Sequence, residues 1–168
     1  GMGADVTILD CNVDTMRSLV VRFGQSVKTL YSASLTLEEE MLAADLVIGA
    51  VLLPGAEAPK LITRDLVSRM KKGSVICDVA IDQGGCAETS RPTTHHDPVY
   101  VEEGVTHYCV ANMPGAYART ATQALTNVTF PYVELIADRG LAAACAAKPE
   151  LRIGINVMDG AVTCPAVA

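Results

Sequence analysis

Five short runs of β-branched and aliphatic residues are spaced along this chain with helix signals between them, and that alternation limits the fold more than any other feature. The runs are Ala4–Asp10 (ADVTILD), Ser26–Ala33 (SVKTLYSA), Asp45–Leu52 (DLVIGAVL), Ser74–Ile81 (SVICDVAI) and Val105–Asn112 (VTHYCVAN). Most are near-continuous in apolar character, the pattern of strands covered on both faces. Asn12 precedes a stripe at helical spacing, Val13, Met16, Leu19, Val20 and Phe23, which Gly24 ends. Thr36 and Glu39 have the spacing of a capping box and predict a helix reaching Ala44. Thr63 predicts another helix start, with Lys71 and Lys72 placed for its negative end and Gly73 as its stop. Strands and helices in this order predict a doubly wound α/β fold with a parallel sheet and right-handed connections. Five Tyr, two Phe and no Trp leave the core to Ala, Val, Ile and Leu, which suits such a sheet.

Beyond the fourth run the pattern changes. Asp82 to Glu103 reads as a long polar segment, and MPGAYA (Met113–Ala118) as a turn. Thr120 and Gln123 form a second capping-box pattern, predicting a helix to about Arg139 with Ala121, Ala124, Leu125, Val128, Tyr132, Leu135 and Ile136 on one face. Pro131 inside it is expected to bend it, because its ring displaces a turn's hydrogen bond. Two short runs around Asp159-Gly160 predict a terminal hairpin.

The start of the chain carries a second constraint. Gly1-Met2-Gly3 leads straight into a strand, so it is not the G-x-G-x-x-G turn that opens a helix under a pyrophosphate. Yet Asp10 stands at a strand's C-terminal tip, where a ribose-binding acid belongs in a dinucleotide fold. The expectation is a Rossmann-type domain entered midway, without its first strand, glycine-rich turn and first helix.

Five positions follow as candidates. Asp10 is either an acceptor for two ribose hydroxyls, which would also repel a 2′-phosphate, or an acid flanking a helix with no ligand. Ser32, Val51 and Leu52 lie at or near later strand ends, where open parallel sheets form their ligand crevice, or are ordinary strand-end residues. Asp82 follows an apolar run and precedes Gly84 and Gly85. A charge there is costly unless it faces a polar crevice, and the glycines admit close backbone approach. The alternative is a turn acid. His95, His96, His107, Cys86 and Cys109 have no recurring zinc-type spacing, so no metal is expected; they read as solvated loop histidines and core thiols.

Composition removes several classes. A net charge of −6 gives no basic surface for nucleic acid and none for an anionic membrane. No apolar run approaches the roughly 18 residues of a membrane span, and no basic start leads into a signal-type apolar run. Six cysteines without C-x-x-C pairs are expected as reduced thiols of a cytoplasmic protein.

DVAIDQGGCAETSRPTTHHDPVY (residues 78–100) and HYCVANMPGAYARTATQALTNVTFPY (residues 107–132) resemble alanine dehydrogenase closely. GADVTILD, ADLVIGAVLLPGAEAPKL and GINVMDGAVT extend the resemblance over essentially the whole chain. It implies reversible NAD-dependent oxidative deamination of L-alanine to pyruvate and ammonia. It also implies a cytoplasmic homo-oligomer, commonly a hexamer. On that basis Asp10 holds the adenosine ribose, Ser32 lies near the adenine, and Val51 and Leu52 line the cofactor crevice. Val79 and Asp82 sit by the nicotinamide, Asn112 and Met113 approach it, and Asp82 is the catalytic-site acid. The family's Lys, His and substrate-gripping Arg belong to an N-terminal substrate domain and match nothing here, Arg91 and the histidine pair included. The chain is then expected as an inactive fragment: residues 1–118 the later part of the NAD domain, residues 119–168 a connecting helix and a piece of the substrate domain. PGAYARTAT stands where many members have PGAVPRTST, which bears on hinge stiffness, and Thr15 stands where some carry a basic residue near the adenine. The alternatives are a non-catalytic NAD-binding or oligomer-contact module, and the NAD-binding subunit of a transhydrogenase.

Overall fold

The computed structural model describes residues 2–51 and 58–164. Parallel strands and helices alternate as expected, but the strands fall into two sheets. In the first, β1 (Thr7–Asp10) pairs parallel with β2 (Lys28–Tyr31), placing Asp10 opposite Tyr31. In the second, the order is β3 (Leu46–Gly49), β4 (Val75–Asp78), β6 (Val105–Tyr108), β5 (Val99–Glu102). Its first three strands are parallel, and β5 closes one edge antiparallel to β6.

The strand β5 lies inside residues 82–103, which read from the sequence only as a long polar segment. Glu103 and Gly104 both have positive φ, the geometry of a tight two-residue hairpin turn, which pins the Val99–Glu102 alternation against β6. The fourth strand is also shorter than expected. Asp78 turns the chain out of the ladder by accepting a hydrogen bond from the Ala80 N–H, and Val79–Gln83 forms a 3-10 turn instead. Asp82 therefore lies on an exposed turn, and the buried acid at the strand's end is Asp78.

Helix α1 (Val13–Phe23) is capped as predicted: Asn12 Oδ1 accepts from the N–H groups of Asp14 and Thr15 at 2.9 and 3.1 Å. Helix α3 (Arg64–Arg69) is likewise capped by Thr63, although it ends before Lys71 and Gly73. The two expected capping boxes do not form. Helix α2 (Ser34–Ala43) starts directly from extended Ala33, which puts Thr36 inside its first turn. Helix α4 (Ala118–Ala147) grows out of a 3-10 turn (Met113–Tyr117), which does the same to Thr120. The non-helical backbone in α4 lies at Gly140 (φ 73°), well beyond Pro131, which the helix accommodates, and just past the predicted end at Arg139. Helix α5 (Glu150–Ile153) and the hairpin β7 (Val157–Met158) and β8 (Ala161–Val162) follow; Asp159 and Gly160 make the expected turn, both at positive φ.

The core lies between the second sheet and one helical layer. Met41 of α2 and Leu66, Val67 and Met70 beside α3 close on Ile76 of β4, with Ala80, Cys86, Ala87 and Val105 around them. Each fully buried Val or Ile here contributes about 1.5–3 kcal/mol. Among the described residues the opposite face is open. Leu46 and Ile48 of β3 are more than half exposed, as are Leu125, Val128, Phe130 and Val133 along α4. The apolar stripe of α1 is also uncovered, with Val13, Val20 and Phe23 exposed. Among the described residues no helix is long and apolar enough to cross a membrane.

Candidate functional site

Within each sheet parallel strands deliver their chain ends to one side, and the candidate residues form two clusters, one for each sheet. The first forms at the carboxyl ends of β1 and β2. The Ser32 N–H donates to the Asp10 carbonyl at 3.1 Å, so the two residues adjoin. Asp10 Oδ1 accepts from the Asn12 N–H at 2.7 Å, which aims the half-buried carboxylate along the start of α1. Ser32 also lines a cavity of about 300 Å³ with Ser34, Leu37, Leu61, Thr63 and Arg69. Apolar leucines flanked by hydroxyls suit a flat heteroaromatic ring with polar edges.

The second cluster follows β4. Both carboxylate oxygens of Asp82 stand 3.4 Å from the backbone nitrogen of Asn112. Asn112 occupies the left-handed region (φ 55°, ψ 53°), which Asn tolerates better than most residues, and half-buried Met113 follows it into the 3-10 turn. Val79 opens the Asp82 turn with its side chain about half exposed. Val51 instead packs against the core, and Leu52 lies outside the described residues. Asn112, Gly115 and Ala118 also open onto a groove running along Ala121, Leu125 and Val128 of α4.

What fixes the Asp82 turn was not legible from motif spacing. Asp78 is fully buried; its Oδ2 accepts from the Cys86 N–H at 2.8 Å and from Ser90 Oγ at 2.5 Å. One carboxylate thus ties the entry of the glycine loop at Ala80 to its exit. Lys60 adds a clamp from outside, donating to the carbonyls of Gly84 and Gly85. Gly85 (φ 78°) leaves room for this: a Cβ there would lie 2.8 Å from Asp78 Oδ2 and 2.9 Å from Ser90 Cβ. Cys86 packs beside Asp78, and burial with that adjacent negative charge pushes its thiol up to about 12. The signal available in the sequence was the acid four residues before Asp82, at the true end of the strand.

His107 also departs from expectation: it is fully buried rather than solvated. Its Nδ1–H donates to the Val105 carbonyl at 3.0 Å, and Nε2 accepts from the Thr89 hydroxyl at 2.8 Å. Its ring stacks on Tyr100 at 5.0 Å, and the Arg91 guanidinium covers the Tyr100 ring at 3.9 Å. Burial holds the imidazole pKa below its ordinary value. An unfolded chain therefore takes up a proton that the folded chain refuses, so this contribution is complete above about pH 6.5 and declines as pH falls below it. Denaturant midpoints at pH 7.5 and 5.5 are expected to show a loss of stability at the lower pH that His107→Gln reduces. An equal loss in the variant would contradict this assignment.

His95 and His96 are exposed on the loop before β5, and among the described residues no group of three or more His, Cys, Asp or Glu side chains is arranged to hold a metal.

Residues 1–165 match the family described as Alanine dehydrogenase/PNT, C-terminal domain. The alanine dehydrogenase of Halomonas elongata is 57% identical over all of this chain, and that of Mycolicibacterium smegmatis 55%. In each case the match covers 45% of the relative, so the chain spans about half the length of the curated relatives it matches. A solved L-alanine dehydrogenase superposes with a TM-score of 0.86 at 50% identity, covering 98% of this chain and 45% of that one. A transhydrogenase from Sinorhizobium meliloti superposes at 0.73 with 26% identity, covering 98% and 43%.

Proposed function

Since this chain belongs to the alanine dehydrogenase/PNT C-terminal domain family, we propose that it supplies most of the NAD site of an L-alanine dehydrogenase. The parent activity is reversible oxidative deamination of L-alanine to pyruvate and ammonia. The single observation that carries the reading is the pairing of Asp10 with Ser32 at one set of parallel strand ends and of Asp82 with Asn112 at another. One cluster suits the adenosine half of a dinucleotide and the other its nicotinamide half.

NAD, when bound, supplies the acceptor for the hydride leaving alanine's α-carbon. Asp10 accepts from the two adenosine ribose hydroxyls, and its charge disfavours a 2′-phosphate. Ser32 borders the cavity that takes the adenine. Val79, Met113 and Asn112 flank the nicotinamide. Asp82, exposed beside them, orders the water that hydrolyses the imine or the ammonia that leaves it, and holds a proton in those steps. Residues 1–118 form this cofactor unit, and residues 119–168 connect to a substrate-binding part of the enzyme that carries the remaining catalytic groups. The identity to alanine dehydrogenases, twice that to the transhydrogenase, favours the first over the second.

The apolar side chains exposed along α4 support a homo-oligomer, and six unpaired cysteines support a reducing, cytoplasmic setting.

The test joins the preceding residues of the Halomonas elongata relative to this chain. The joined enzyme is expected to oxidise L-alanine with NAD, and the 168-residue chain alone to show no turnover. Asp10→Ala in the joined enzyme is expected to weaken NAD binding by roughly 10- to 100-fold, the loss of a charge-assisted contact. An inert joined enzyme, an active isolated chain, or unchanged NAD affinity in Asp10→Ala would each contradict the reading.

A further inference from the structure

Among the exposed side chains near Asp82, His95 makes a contact that the reaction scheme above does not use. Its Nε2 lies 2.9 Å from the carbonyl oxygen of Asn112. A carbonyl only accepts, so Nε2 carries the hydrogen and donates. The same carbonyl also accepts from the Gly115 N–H at 2.9 Å. Asn112 is thus held from both sides: its N–H faces the Asp82 carboxylate, and its carbonyl is gripped by His95 and by the next turn.

Two further features belong to this arrangement. Asn112 sits in left-handed backbone, a conformation that the surrounding contacts must maintain. Gly115 leaves the space in which the grip is made, since a Cβ there would lie 3.2 Å from His95 Nε2 and 3.3 Å from Asn112 Nδ2. The loop bearing His95 is itself closed by a turn in which Thr94 Oγ1 accepts from the Asp97 N–H at 3.2 Å.

We infer that His95 is a positioning residue for the nicotinamide end of the site, acting through the Asn112–Met113 backbone on the placement of Asp82. This rests on the function proposed above, and the interaction itself is testable apart from it. In the 168-residue chain, amide hydrogen exchange at Asn112 and Gly115 is expected to quicken about tenfold in His95→Ala, the equivalent of one lost hydrogen bond. His95→Gln, which can present an N–H near the same point, is expected to restore most of the protection. In the joined enzyme, His95→Ala is expected to lower kcat about tenfold with the KM for NAD within about twofold, because geometry at the reacting end is lost while adenosine binding is kept. His95→Gln should recover kcat to within about threefold. Unchanged exchange in His95→Ala, or an unchanged kcat, overturns the inference, as does a kcat loss that His95→Gln leaves in full. Absence of alanine oxidation in the joined enzyme without substitutions would defeat the proposed function instead, and the exchange measurement would then decide the His95 contact by itself.

Discussion

Asp78→Ala is expected to destabilise the folded chain by about 4 kcal/mol, lowering Tm by roughly 8–16 °C for a chain of this size. The side chain is fully buried and forms no ion pair among the described residues. Its stability rests on three donors: Ala80 N–H on Oδ1, and Cys86 N–H and Ser90 Oγ on Oδ2. Truncation leaves those donors in place, around buried backbone, with nothing to accept from them. Each unsatisfied donor costs about 1–3 kcal/mol, which outweighs the relief of no longer burying a carboxylate that its donors already solvate. Asp78→Asn keeps one good acceptor oxygen but turns an N–H toward another N–H, so about half the loss is expected. Denaturant unfolding of the three proteins is the measurement; a loss below 1 kcal/mol in Asp78→Ala would sink the account of the loop.

Gly49→Ala is expected to cost about 3 kcal/mol by overpacking. Gly49 ends β3, and a Cβ there would stand 2.1 Å from Cys86 Sγ, far inside the 3.5–4.0 Å of ordinary contact. Cys86 has little freedom to retreat. Its N–H is bound to Asp78, its carbonyl accepts from the Ile62 N–H at 3.1 Å, and it is 1% exposed. The conflict is with the sulfur alone, as Cys86 Cβ lies at an ordinary 3.7 Å. Adding Cys86→Ala to Gly49→Ala is therefore expected to recover most of the loss, a coupling that two independent sites would not show. Stability equal to that of the unsubstituted chain in Gly49→Ala, or additive losses in the pair, would contradict this packing.

Strand positions and several turns were legible because each rests on local rules. Asn12 and Thr63 cap helices since their oxygens reach N–H groups two or three residues on, and Asp159-Gly160 turns a hairpin since both residues accept positive φ. The capping-box patterns at Thr36 and Thr120 misled because α2 already begins at Ser34 and α4 at Ala118, which leaves each Thr inside a first turn rather than at the helix end. Strand β5 was hidden inside a polar segment because its alternation has meaning only beside β6. The candidate acids divided along the same line. The place of Asp10 at a strand tip was readable, and β1 does end there. Exchanging Asp82 for Asp78 as the buried acid needed the backbone turn at Val79, which hydrophobicity alone does not reveal. His95 was set aside as a solvated loop residue, and its partner is a backbone carbonyl 17 residues away, which leaves no trace in spacing.

The most direct test of the two-cluster site is a crystal structure of the joined enzyme with NAD bound. The Asp10 carboxylate is expected within hydrogen-bond distance of both adenosine ribose hydroxyls, with the nicotinamide beside Asp82 and Asn112. A dinucleotide whose ribose makes no contact with Asp10, or whose nicotinamide lies away from Asp82, would contradict the account.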